Sequence, residues 1–309
     1  MSMEPKPFDL RQDMLGSEFE LQYKRDHGLK NVALHHHDFY EIYYLISGDV
    51  TYTIDSRICR VMPGDILIIG PKELHQVYIR SEVSAYERFV LWVNPQVIQS
   101  LSTANSDLLR ALDPEKPNSV RQLRLRAQDQ KLVIALLQSL FAEFHQESYG
   151  ADLQCRSLLV QLLVHINRLA AQDGDYYEAF SSSSLFISQV IDYINHHYSE
   201  DLSLDQLAEL FFVSKYHLSH EFNRQVGTSL YRYIQKKRLQ IARQLLAQGK
   251  KPYQLYSECG FSDYAGFYRA FRAEYGQNPR YYMPPPEQGK GKKRRSQNIG
   301  SENNTPAEP

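Results

Sequence analysis

The chain has 309 residues, 42% of them hydrophobic and 23% charged, with a formal net charge of −1. That length carries two or three small domains with cores of their own, and the composition is that of an ordinary globular protein. Three cysteines without a C-x-x-C exclude a zinc cluster or a disulfide framework, and no apolar run approaches the ~20 residues needed to span a bilayer.

The charge is unevenly spread. Residues 184–309 carry 17 Lys and Arg against 12 Asp and Glu, and the rest of the chain 18 against 24. A basic end on an acidic body points to an anionic partner for that end. The N-terminal MSMEPKPFDL has no apolar core, so no signal peptide is expected.

Residues 20–93 read as strands, short runs of Val, Ile, Tyr and Thr broken by turns. VTYTIDSRICRV is two strands around Asp55-Ser56, MPGD at 62–65 is a second turn, and DILIIGP is a buried strand. Many short strands close together predict a sandwich or small barrel, placed over 1–110. Within them LHHHDFYEIYYLISG holds His35, His37 and Glu41. Side chains two apart on a strand share a face, so His35 and His37 point one way, with Glu41 and Tyr43 beside them if the strand stays regular. His75 could complete the group.

After Asn94-Pro95 the chain turns helical, interrupted by the polar LDPEKPNS. Val133, Leu137, Leu140 and Phe144 form one helix face, and Leu158, Leu159, Leu162, Leu163, Ile166 and Leu169 a second. These stripes suit packing against the barrel, a dimer seam over 120–172, or both. QDGDYYEAFSSSS reads as an interdomain linker over 173–184. Residues 284–309 have little apolar content and are expected to be disordered, with a basic KGKKRR cluster.

Between linker and tail lies a degenerate repeat, 202–227 and 251–276. Leu207 matches Leu255, Ser214 Ser262, Leu218 Phe267, Phe222 Phe271 and Gly227 Gly276. Each copy reads helix, turn, helix. Ser203 and Gln206 make a capping box, Ser214 and Ser262 cap the second helices, and Pro252 and Gly260 open and stop the first helix of the second copy. The intervening helix, 229–247, can join the two halves. With the apolar pairs inward, Tyr216, Ser219, His220 and Asn223 project from one helix. Tyr264, Ala265, Tyr268, Arg269 and Arg272 project from the other. Two such helices have the size and chemistry to enter the DNA major groove, with Ser214, Lys215 and Ser262 at their starts.

Residues 184–283 resemble the AraC/XylS family of transcription regulators, through LAELFFVSKYHLSHEF, GTSLYRYIQKKRLQIARQLL and above all CGFSDYAGFYRAFRAEYGQNPRYY. Tyr256 departs from the small residue usual there, and Ala265 and Gly266 leave the second recognition helix short of side chains. The histidine segment resembles the first cupin motif, H-x-H, three residues, E, six residues, G. PKELHQ matches the second motif only partly, lacking its glycine and one residue, which puts His75 in doubt as a fourth ligand.

The resemblance implies an α+β multidomain protein: a cupin-like β-barrel with accessory helices, then an all-α domain (185–283) with two helix-turn-helix units. It implies a cytoplasmic homodimer that binds promoter DNA and contacts RNA polymerase. A small effector, commonly a carbohydrate, is expected on His35, His37, Glu41, Tyr43 and His75, with no metal or other cofactor, no membrane and no enzymatic activity. Activation is the family habit. The alternatives are a repressor or constitutive binder with a vestigial barrel, and a metal-dependent cupin enzyme. Histidines that merely cap the barrel mouth would fit the vestigial barrel.

Overall fold

A computed structural model describes residues 14–16, 18–29, 31–79, 85–173 and 182–284. Of the expected linker and tail, residues 174–181 and 285–309, the basic cluster included, lie outside the described residues.

The strands are β1 (Phe19–Asp26), β2 (Asn31–His35), β3 (Tyr40–Ser47), β4 (Val50–Ile54), β5 (Arg57–Val61), β6 (Asp65–Ile69), β7 (His75–Ile79) and β8 (Tyr86–Val93). Helix α1 (Pro95–Leu101) follows, then β9 (Gln122–Arg124). They form two antiparallel sheets, ordered β1-β8-β3-β6-β9 and β2-β7-β4-β5. β9 pairs with β6, so the barrel takes a strand from beyond the boundary expected at 110.

The five-stranded sheet is buried on both faces. Tyr43, Leu45, Leu67, Ile69, Val90 and Trp92 fill the space between the sheets. Their neighbours Ile42, Tyr44, Ile66, Ile68, Phe89 and Leu91 face helices α2 (Ala127–Phe144) and α3 (Ala151–Asp173). A strand covered on both sides needs apolar residues at every position, which is why DILII and FVLWV do not alternate with polar ones. The helix stripes thus pack on the barrel, through Val133, Leu137 and Leu140 and through Leu159, Leu163 and Ile166.

The C-terminal domain begins earlier than expected. Ser182 opens α4 (Ser182–His197), so three of the four serines are helical rather than linker. Its Ile187, Val190, Ile191 and Ile194 are fully buried, the i, i+3, i+4, i+7 pattern of one face. Then come α5 (Leu204–Leu210), α6 (Lys215–Val226), α7 (Leu230–Ala247), α8 (Pro252–Glu258), α9 (Tyr264–Tyr275) and a 3-10 turn, Pro279–Tyr282.

The Ser203–Gln206 capping box forms, and Ser214 caps α6 through the His217 amide. The cap of α9 is Asp263 rather than Ser262, for its carboxylate accepts the Gly266 amide at 2.7 Å. A carboxylate at a helix N-terminus also meets the positive end of the dipole. Gly266 sits in the first turn of α9, and a Cβ there would lie 3.2 Å from that carboxylate.

Each half has its own core. Leu218, Phe222 and Val226 pack with α4, and Phe267 and Phe271 with Leu255 and Cys259. α7 serves both, giving Leu230, Tyr233 and Ile234 to the first and Leu239, Ala242 and Leu246 to the second. The first core also takes in Leu34, Ile58 and Leu74 of the barrel, so the two domains dock through shared apolar surface. Among the described residues no helix is long and apolar enough to cross a membrane.

Candidate functional site

The segment from His35 to Asp38 leaves β2 and leads to β3, and its side chains face opposite ways in turn. His37 points into the barrel, where its ring stacks on Phe39 at 4.1 Å. His75 opens β7 directly opposite His35, so the missing residue of the second motif does not remove it from the group. The ring centres of His35 and His75 are 4.1 Å apart, and those of His37 and His75 4.7 Å.

Glu41, on β3, follows His37 by four residues; its Oε2 lies 3.5 Å from His37 Nε2 and accepts a hydrogen bond of 2.8 Å from the Trp92 indole. Burial alone would raise the Glu41 carboxyl, but the His37, His75 and His35 imidazoles hold it well below the usual range. Burial pushes His35 down to about 4, against the pull of Glu41, and holds His75 well below the ordinary histidine value. Burial thus disfavours a charge on His35 and on His75 beside the Glu41 carboxylate.

Tyr43 shares this side of the strand but lies deeper. It is fully buried, and its hydroxyl donates to Tyr86 at 3.1 Å within the barrel core. His35, His37, Glu41 and His75 are brought together; Tyr43 belongs to the packed wall behind them. Trp92, which orients Glu41, stood in the sequence only as one aromatic among many.

His36 and Asp38 face the other way and meet the C-terminal domain. His36 Nε2 and the Tyr275 hydroxyl of α9 share a hydrogen bond of 3.0 Å, and Arg243 of α7 donates to Asp38 at 2.7 Å. The next loop joins in, because Lys72 N donates to His37 O at 2.6 Å while the Gln240 amide donates to Lys72 O. On the first half, Thr53 Oγ1 donates to Gln225 O at the end of α6, at 3.5 Å. Gln76 sits against Gly227, where a Cβ would come within 2.7 Å of it. The barrel thus touches the C-terminal ends of both α6 and α9. The sequence held a signal for this, since period-two alternation turns His36 and Asp38 away from His35 and His37.

The outward faces of those helices are open. Lys215, Tyr216, Ser219, His220 and Asn223 of α6 are exposed, as are Tyr264, Ala265, Arg269 and Arg272 of α9, with Tyr268 half-buried. Ser214 and Ser262 are exposed at the two starts, and Lys215 is ion-paired with Asp205. A second concavity, about 640 Å³, lies between the barrel and α4, lined by Ser56, Arg57, Leu185, Tyr193, His196 and Phe211.

Two family models match this chain: an AraC-like ligand-binding domain over residues 18–163 and a helix-turn-helix domain over 207–283. The HTH-type transcriptional activator RhaS of Escherichia coli O139:H28 is 25% identical over 251 residues, 80% of this chain and 85% of RhaS. Among solved structures, fatty-acid-bound ToxT of Vibrio cholerae is similar over 86% of this chain and 95% of its own, at 11% identity and a TM-score of 0.39. The C-terminal domain of AraT, a response regulator of Geobacillus stearothermophilus, is 26% identical over 36% of this chain and 97% of its own, with a TM-score of 0.33.

Proposed function

Because this chain belongs to the AraC family of DNA-binding transcription regulators, with that family's N-terminal ligand-binding domain, we propose that it is an activator whose barrel senses a small effector at His35, His37, Glu41 and His75. One observation carries the reading: the strand end that presents His37 to the barrel presents His36 and Asp38 to α9 and α7. A ligand that shifts this segment acts on the second half of the DNA-binding domain, and through α7, which packs in both cores, reaches the first, a coupling between two sites through a shared element.

α6 and α9 read sequence in this proposal, with Tyr216, Ser219, His220, Asn223, Tyr264, Tyr268, Arg269 and Arg272 toward the bases. Lys215 and the helix starts at Ser214 and Ser262 meet phosphate. Two protomers pair through α2 and α3, and an activator bound beside a promoter in the cytoplasm contacts RNA polymerase. For the effector, a carbohydrate is the class the family resemblance implies. Its support is that resemblance rather than the lining, for Tyr43 and Trp92 already direct their donors to Tyr86 and Glu41.

The test is footprinting of the full chain on the DNA upstream of its own gene, with a thermal-shift screen of sugars, organic acids and metal ions. The expected result is protection of two neighbouring major-groove segments, with affinity changed by any compound that stabilises the barrel. Equal affinity for random DNA would overturn the regulator. Specific binding that no stabilising compound alters would favour a constitutive binder with a vestigial barrel.

A further inference from the structure

The barrel mouth collects acceptors. His37 Nε2 and His75 Nε2 are buried without a hydrogen-bond partner. With a Glu41 carboxylate oxygen, their ligand atoms lie within 4.8 Å of one another. The imidazoles are all turned the same way. Nδ1 faces a main-chain carbonyl in His35 (Ala33, 2.8 Å), in His37 (Phe39, 2.9 Å) and in His75 (Glu73, 2.9 Å). A carbonyl only accepts, so Nδ1 carries a proton, and in the neutral ring Nε2 keeps its lone pair. An imidazole whose far N–H is fixed on a carbonyl is in the state that binds a metal.

What would satisfy such a group? Each buried acceptor left unmet is destabilising. A sugar hydroxyl both donates and accepts, and asks for both in return. A cation asks for acceptors alone, converging on a point. A tetrahedral ion with bonds of about 2.1 Å sets its ligand atoms roughly 3.4 Å apart, and His37 Nε2 and Glu41 Oε2 are already 3.5 Å apart. Nitrogen donors select a first-row transition ion over magnesium or calcium, which take oxygen.

The geometry points to a divalent first-row transition-metal ion as the ligand of this site, held by His37, Glu41 and His75 with His35 beside them, and as the signal the barrel reads. This replaces the expectation of a metal-free pocket, which rested on the incomplete second motif. It rests in turn on the reading of the barrel as the sensing unit. Closing His37 and His75 onto an ion draws on the segment whose other side chains, His36 and Asp38, hold Tyr275 and Arg243. The backbone link from His37 O to Lys72 N, and from Lys72 O to Gln240, carries the same displacement to α7.

Full-length protein, stripped by a chelator and dialysed, is titrated with Co²⁺ and with Zn²⁺. A single Co²⁺ per chain is expected, with the visible absorption of a nitrogen-rich site, displaced by Zn²⁺ and accompanied by a rise in Tm. His37→Gln and His75→Gln, which keep a side chain of similar length, should each weaken Co²⁺ binding about tenfold or more. Arg243→Ala should take up Co²⁺ as the wild type does, yet lose the ion-dependent change in affinity for the DNA upstream of the gene. Substoichiometric uptake by the wild type, or undiminished uptake by a variant carrying both His37→Gln and His75→Gln, would overturn the metal site. Uptake with identical DNA affinity in stripped and loaded wild type would overturn its role as a signal. Stabilisation by a sugar without ion uptake sinks the metal and leaves the regulator standing. Ion uptake without specific DNA binding, stripped or loaded, sinks the regulator and leaves the metal site in place.

Discussion

The Asp38 carboxylate accepts a hydrogen bond of 2.7 Å from the Arg243 guanidinium, joining the barrel mouth to α7 across 205 positions of sequence. The Asp38 side chain is 54% exposed and that of Arg243 20%. A pair this wet contributes less than about 1 kcal/mol to folding. Arg243 does more, since its guanidinium also lies 5.4 Å from the Tyr275 ring and 5.2 Å from that of Tyr282. Asp38→Asn should therefore lower stability by less than about 1 kcal/mol, and Arg243→Ala by more, through lost packing on the two rings. Urea denaturation of both single variants and the double gives the coupling energy directly. A larger loss from Asp38→Asn than from Arg243→Ala would contradict this ranking.

The cap of α9 offers a sharper comparison. Asp263 accepts the Gly266 amide, whereas Ser262 lies one residue outside the cap. Asp263→Ala should cost about 1 kcal/mol and Ser262→Ala only a few tenths. Thermal denaturation of the two variants decides between them, and equal losses would return the cap to Ser262.

Gly260 and Gly276 both follow helices with positive φ, +80° and +71°. A Cβ at Gly276 would meet nothing within 4 Å, while one at Gly260 would lie 2.8 Å from the Tyr198 carbonyl oxygen and 2.7 Å from Arg238 Nε. Arg238 itself donates to Tyr198 O at 2.8 Å and to Glu200 O at 2.7 Å. Gly276→Ala should cost about 1–2 kcal/mol for the left-handed backbone alone. Gly260→Ala should cost more, because a backbone oxygen cannot step aside. Chemical denaturation showing the two equal would mean that the α4–α7 junction yields freely.

Of the base contacts proposed, Arg269 ranks first. Phe267 and Phe271 are fully buried and fix the inner face of α9, which leaves Arg269 exposed on the outer one. Arginine pairs with guanine through O6 and N7, worth ~1–3 kcal/mol of discrimination. Arg269→Ala should lose affinity for the true site far more than for random DNA. Lys215→Ala should weaken both alike and reduce the salt slope by about 1, as a lost phosphate contact does. Titrations at several salt concentrations separate the two behaviours, and exchanged behaviours would exchange the assignments.

The proposed pairing of protomers through 120–172 makes a prediction of its own. Leu132 of α2 and Leu153 of α3 are 46% and 68% exposed, although both helices bury their other stripe on the barrel. A fragment of residues 1–172 should self-associate at tens of micromolar, and Leu153→Asp should weaken that association. Residues 182–284 alone should sediment as a monomer. A monomeric 1–172 fragment would move the seam elsewhere.

Much of this protein was legible in its sequence because the information is local. The Ser203–Gln206 box, the Ser214 cap, the Pro252 start and the Gly260 stop each depend on a few neighbouring residues, and the doubled helix-turn-helix follows from them. The outward faces of α6 and α9 follow from the spacing of Leu218 with Phe222 and of Phe267 with Phe271. Tertiary structure decided what sequence spacing cannot express. His75 joins the barrel site because β7 begins opposite His35, a pairing across forty residues that outweighs a motif short by one. β9 joins the sheet through β6, and α4 claims the serines because the buried face from Ile187 to Ile194 needs a helix to present it. Above all, His36 and Asp38 acquire partners only when Tyr275 and Arg243 are folded against them. Strand alternation determines that they face away from His37, but the docking of two domains determines what they face.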